Sequence, residues 1–159
     1  MSKRFIPIQA LNPSTSAGTW AYTTASNLTA LVKTPAANTS VVSFSLPRDL
    51  SGAYNPPGIT QVSINWTTGV AALSSAPTLT VNKVVIDPST RAVSRSAVTP
   101  ALSAISGTDT TGTATGDFTF NASFHPTTLD DTSAYTFEIS FVAAATSTLK
   151  VSGVEITYA

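Results

Sequence analysis

A β-sandwich of two sheets, most simply a jelly roll, is the all-β fold this sequence predicts, and three observations carry it. Apolar and polar residues alternate with a period of two in segment after segment. No window sustains the 3.6-residue apolar spacing of an amphipathic helix; Ala101–Ile105 offers a single helical turn at most. The runs are short and are closed by Pro, Gly, Asn and Asp, as expected of sandwiches.

Taken in order, weaker strand signals cover Phe5–Ala10, Trp20–Thr24 and Leu28–Lys33. Val42, Phe44 and Leu46 alternate with Ser43 and Ser45 until Pro47 ends the run. Val62, Ile64 and Trp66 share one face, with Ser63 and Asn65 on the other, up to Thr67-Thr68-Gly69. Leu79, Val81 and Lys83 lead through Val84-Val85-Ile86 to a stop at Asp87-Pro88, and Ala92–Val98 follows. Phe118, Phe120, Ala122 and Phe124 form another face, closed by Pro126, and Tyr135, Phe137, Ile139 and Phe141 repeat it. In the last segment Leu149 and Val151 occupy one phase, while Val154, Ile156 and Tyr158 occupy the other. A one-residue slip would turn the apolar face to solvent, so a β-bulge is expected at Gly153. Tyr135–Val142 and Leu149–Tyr158 read as a hairpin in the centre of one sheet. About eight or nine strands result, joined by linkers such as Ser51–Gly58 and the low-complexity stretch Ser106–Gly116, expected to be flexible.

At 159 residues the chain fits one domain with a substantial core. The expected organisation is an N-terminal arm and spacer over 1–19 and a single sandwich over 20–159. The arm begins basic at Lys3 and Arg4, turns apolar at Phe5, Ile6 and Ile8, and leads into the Pro/Ser/Gly-rich Asn12–Gly18. It could add a strand to a neighbour's sheet edge or serve as an edge strand of its own sandwich. No long apolar stretch follows Lys3 and Arg4, so the chain is expected to be made in a cytoplasm without a signal peptide and to stay off membranes.

Only 10% of residues are charged, net charge is +0, and Ser and Thr make up roughly three residues in ten, against about 25% charge in an ordinary domain. Hydroxyls exchange water for protein hydrogen bonds at little cost, so such a surface suits subunits packed against each other. There is no cysteine, hence no disulfide and no thiolate metal site.

The residues that could carry chemistry point away from catalysis. His125 is the single histidine, lies at a strand end before Pro126, and has no Gly-x-Ser-x-Gly elbow to serve. Asp130-Asp131 are adjacent, so in a strand they would point to opposite faces; they suit a turn better than a glycosidase pair. A calcium site using them with Asp109 or Asp117 lacks EF-hand spacing. Lys3, Arg4, Lys33, Arg48, Lys83, Arg91, Arg95 and Lys150 are dispersed, which makes no phosphate-tracking stripe for nucleic acid, and Gly112 and Gly116 precede no Lys-Ser or Lys-Thr pair. The glycosylation sequons at Asn27, Asn38, Asn65 and Asn121 are what so Ser/Thr-rich a chain yields by chance. Trp20, Tyr22, Tyr54 and Trp66 could make an aromatic platform for sugar, though Trp66 continues an apolar face and reads as core.

Unprocessed start, absent cysteine, few charges, abundant Ser/Thr/Ala and the ending Leu149-Lys150-Val151-Ser152-Gly153-Val154-Glu155-Ile156-Thr157-Tyr158 together resemble the small jelly-roll virion proteins of tailed bacteriophages, above all the capsid decoration or cement proteins. That resemblance implies a non-enzymatic virion subunit without cofactor or metal. It would form a trimer and clamp the major capsid protein or other virion subunits of the assembled shell. The expected protein contacts are Phe5, Ile6, Ile8 and Tyr54. The alternative is a receptor- or glycan-binding jelly-roll module of a phage fibre or spike.

Overall fold

The computed structural model describes residues 1–25, 28–46, 58–98, 112–124 and 133–159. Among them lie eleven strands: β1 (Ser2–Ile6), β2 (Asn12–Thr15), β3 (Trp20–Ala25), β4 (Leu28–Lys33), β5 (Asn38–Ser45), β6 (Ile59–Thr68), β7 (Ser75–Ile86), β8 (Val93–Val98), β9 (Gly112–Phe124), β10 (Ser133–Ala143) and β11 (Leu149–Tyr158). One 3-10 turn, Ile8–Ala10, follows Pro7. No helix among the described residues is long and apolar enough to cross a membrane.

The strands form two antiparallel sheets. The first runs β3-β4-β11-β6-β9, with β1 also paired to β11; the second runs β2-β5-β10-β7-β8. From β4 onward the chain passes between sheets at almost every connection, the β7–β8 hairpin excepted. This is the two-sheet jelly-roll sandwich that the alternation predicts. Inward phases meet in one core. Val62, Ile64 and Trp66 of β6 and Leu149, Val151, Val154 and Ile156 of β11 face Val42 and Phe44 of β5 and Tyr135, Phe137, Ile139 and Phe141 of β10, all buried. Phe44 stacks on its cross-strand partner Phe137 at 5.3 Å between centroids, and Trp66 meets Phe141 edge-on at 6.1 Å. The second contact joins the two sheets.

The expected bulge is present. Val151 pairs with Trp66 and Gly153 with the next residue, Asn65, leaving Ser152 exposed as the extra residue. Val151 and Val154 thereby both face the core.

Three expectations need correction. Tyr135–Val142 and Leu149–Tyr158 are not a hairpin: β10 lies at the centre of the second sheet and β11 at the centre of the first. Alternation shows that a strand has a buried face and is silent on whether its successor lies beside it or opposite it. Residues 112–116, expected in a flexible loop, pair with β6 as the first part of β9. Residues 1–19, expected as arm and spacer before the sandwich, supply strands to both of its sheets, so of the two readings of the arm the strand of its own sandwich is the one found. β1 pairs with β11 through Ser2–Tyr158 to Ile6–Val154, and β2, expected as spacer, pairs with β5 in the other sheet. Residues 51–57 of the expected linker and 101–105 of the expected helical turn lie outside the described residues.

Candidate functional site

The alternation that buries one face of β6 and β11 sends their other residues outward, and β1 extends that outer face by one strand. Register lines up Lys3, Thr157 and Gln61 in one row, Phe5, Glu155 and Ser63 in the next, and Gly153 with Asn65 in a third. Adjacent strands stand about 4.8 Å apart, so these rows lie side by side on the outer face, with Ser63 and Thr157 buried beneath their neighbours. On it opens a cleft of about 290 Å³ lined by Lys3, Phe5, Gln61, Ser63, Asn65, Val154 and Glu155.

Polar contacts between lining residues help set its geometry. The Lys3 Nζ donates to Glu155 Oε1 at 2.7 Å, diagonally across β1 and β11. Gln61 Nε2 donates to Ser63 Oγ at 2.9 Å, which holds two outward residues of β6 together. Phe5 is 59% exposed, unusual for a phenylalanine, and stands over the bulge. A Cβ on Gly153 would come within 3.2 Å of Phe5 Cε2 and 3.9 Å of Asn65 Nδ2, so glycine there lets the ring approach the strand. The cleft thus offers an aromatic surface, an amide–hydroxyl pair and a balanced ion pair. On β9, register sets Asp117 opposite Ser63 on the far side of β6.

The expected contact residues separate. Phe5 is exposed at the cleft, whereas Ile6 and Ile8 are buried in this chain's own core and present no surface to a partner. The reason is the β1–β11 ladder, which turns Ile6 inward while Lys3 and Phe5 face out. Tyr54 lies outside the described residues. The three described members of the expected aromatic platform, Trp20, Tyr22 and Trp66, are each engaged elsewhere. Trp66 is core; Trp20 packs against the core and donates its Nε1–H to Ser14 O at 3.3 Å; Tyr22 donates its hydroxyl to Leu11 O at 3.0 Å. Trp66 Nε1 is buried with no hydrogen-bond partner among the described residues.

His125, Asp109, Asp130 and Asp131 fall outside the described residues, among which no three His, Asp or Glu side chains cluster to hold a metal. Arg95 pairs with Glu138 on the outer face of the second sheet, and Arg91, in the β7–β8 turn, adopts a positive φ of 61°. In the same turn Asp87 accepts from the Ser89 hydroxyl at 2.6 Å and from the Thr90 and Ser89 backbone N–H groups. These bonds, the hydroxyl first, hold its carboxyl down at about 2. That serves the turn and lies on the other sheet from the cleft.

Sequence reasoning missed Lys3, Gln61, Ser63, Asn65 and Glu155 as a group. Their outward phase on β6 and β11 was readable; that β1 completes the surface was not.

No protein-family model matches the chain, and neither does any curated protein. Solved structures do. TmCBM61, determined in complex with β-1,4-galactotriose, aligns over 96% of this chain and 90% of its own, with a TM-score of 0.52 and 8% identity. That likeness supports the sandwich fold. A structure from work on promiscuous carbohydrate-binding modules of the β-sandwich superfamily aligns over 95% of this chain and 58% of its own, at a TM-score of 0.48 and 13% identity. The CBM36-1 domain of a multidomain xylanase from a Trinervitermes trinervoides hindgut metagenome aligns over 99% and 98%, at 0.43 and 7%.

Proposed function

We propose that this chain is a non-catalytic carbohydrate-binding β-sandwich module that takes its ligand in the cleft between β1, β11 and β6. The observation that carries the reading is the exposed Phe5 ring beside Gln61, Ser63, Asn65 and Glu155. Sugars present an apolar C–H face and a rim of hydroxyls, and this surface has one aromatic ring for the first and planar polar groups for the second. The sandwich it shares with TmCBM61, solved with a galactotriose, supports the same reading. Binding would proceed without bond making or breaking.

The test is binding to a broad glycan panel by the intact protein and by Phe5→Ala. A glycan should bind, and Phe5→Ala should weaken it about tenfold, about 1.4 kcal/mol, with the circular dichroism spectrum unchanged. Silence across the panel, or equal affinity of the variant, would remove the proposal.

A second reading is a virion subunit: a decoration protein on the assembled shell, or a receptor-binding module of a fibre or spike. It draws on the charge-poor, hydroxyl-rich composition. It expects a trimer in solution with mass near three times 16.4 kDa by light scattering, and a stable monomer would count against it. The fibre form of this reading and the carbohydrate proposal are compatible.

A further inference from the structure

We infer that the ligand of the cleft is a neutral oligosaccharide, read through a vicinal diol by the Lys3–Glu155 pair while a sugar face lies against Phe5. The inference rests on the carbohydrate-binding reading and narrows it to a chemical class.

The ammonium and carboxylate stand 2.7 Å apart, a donor beside an acceptor at the mouth of one cleft. Hydroxyls on adjacent ring carbons stand at a comparable spacing. One can accept from Lys3 Nζ while the other donates to a Glu155 oxygen, each in a charge-assisted bond. Neither charge has to leave its partner, so neither is left buried alone when the sugar covers it. An acidic glycan meets the opposite situation. Its carboxylate or sulfate has no proton to give Glu155 and is repelled by that carboxylate wherever it approaches Lys3.

The ring is well placed to fix the sugar above that pair. Phe5 sits opposite Glu155 in the β1–β11 register, and Lys3 is two residues away on the same face. Gly153 brings the ring close to the strand, towards Asn65. The Gln61–Ser63 bond places a further amide and hydroxyl across from Glu155 and Thr157, where neighbouring sugar hydroxyls would fall.

The test is calorimetric binding of the full chain to neutral oligosaccharides, to the same sugars O-methylated at the diol, and to uronate- and sulfate-bearing glycans, at about 0.1 M and about 1 M salt. The expected result is binding of a neutral sugar whose affinity changes no more than about threefold with salt, and falls about tenfold or more on methylation and in Lys3→Met. Binding confined to acidic glycans, indifference to methylation, or an unaffected Lys3→Met overturns this inference and leaves the carbohydrate-binding proposal in place. Failure of every glycan overturns both.

Discussion

Lys33 shows how one residue can depart from the pattern around it. It ends β4 opposite Leu149 and Trp20, a position whose phase faces the core, and it is 0% exposed. Its Nζ donates to the carbonyls of Ala36 at 3.0 Å and Thr34 at 3.3 Å, with no carboxylate partner among the described residues. Burial therefore pushes its pKa below 10.5. A depressed lysine is charged in the unfolded chain over a pH range where the folded chain has begun to release the proton. The contribution of this lysine to stability is thus greatest above 10.5 and is lost as pH falls through the folded value. Lys33→Met should flatten that alkaline rise while leaving stability at neutral pH within about 1 kcal/mol, because Thr34 is exposed and Ala36 half-buried, so water can take over their carbonyls. Urea melts of both proteins from neutral pH to above 10.5 check it, and a rise that persists in the variant would refute the assignment.

Among the elements, the connections hold as much information as the strands. Ser147, between β10 and β11, is buried and accepts hydrogen bonds from three consecutive backbone N–H groups after β6: Gly69 and Val70 at 3.0 Å and Ala71 at 3.3 Å. Its own proton goes to Thr148 O. A Cβ on Gly69 would stand 2.6 Å from Thr148 Oγ1, so a larger residue there would have to push that side chain aside. Two sheet-crossing connections are thereby locked together. Ser147→Ala should cost about 1 kcal/mol, read as a lower urea midpoint at unchanged slope. An unchanged midpoint would mean that water replaces the hydroxyl at no cost. The bulge is another device of this kind. Its existence was legible from the phase change at Ser152-Gly153, whereas the ring of Phe5 above Gly153 was not, because that contact joins residues at opposite ends of the chain.

Over the whole molecule, legibility follows the range of the physics. Alternation is local, so Val62-Ile64-Trp66, Phe137-Ile139-Phe141 and Val154-Ile156 could be assigned to a buried face from sequence, and each is buried. The same signal identified an all-β, two-sheet sandwich and the bulge in β11. Strand pairing is non-local and lies beyond it. β10 and β11 carry the same pattern as a hairpin would, yet lie in opposite sheets, because facing strands bury the same residues as neighbouring ones. β2 and the start of β9 carry too few apolar residues to register as strands, and only the ladders of β5 and β6 recruit them. The candidate site belongs to this second class. Lys3 and Phe5 meet Glu155, and Glu155 meets Ser63, only through the pairing of β1 with β11 and of β11 with β6. The amino-acid order by itself determined which residues point inward, since that depends on neighbours two positions apart. The tertiary structure alone decided which outward residues share a surface, since that depends on backbone hydrogen bonds between segments as far apart as Lys3 and Thr157.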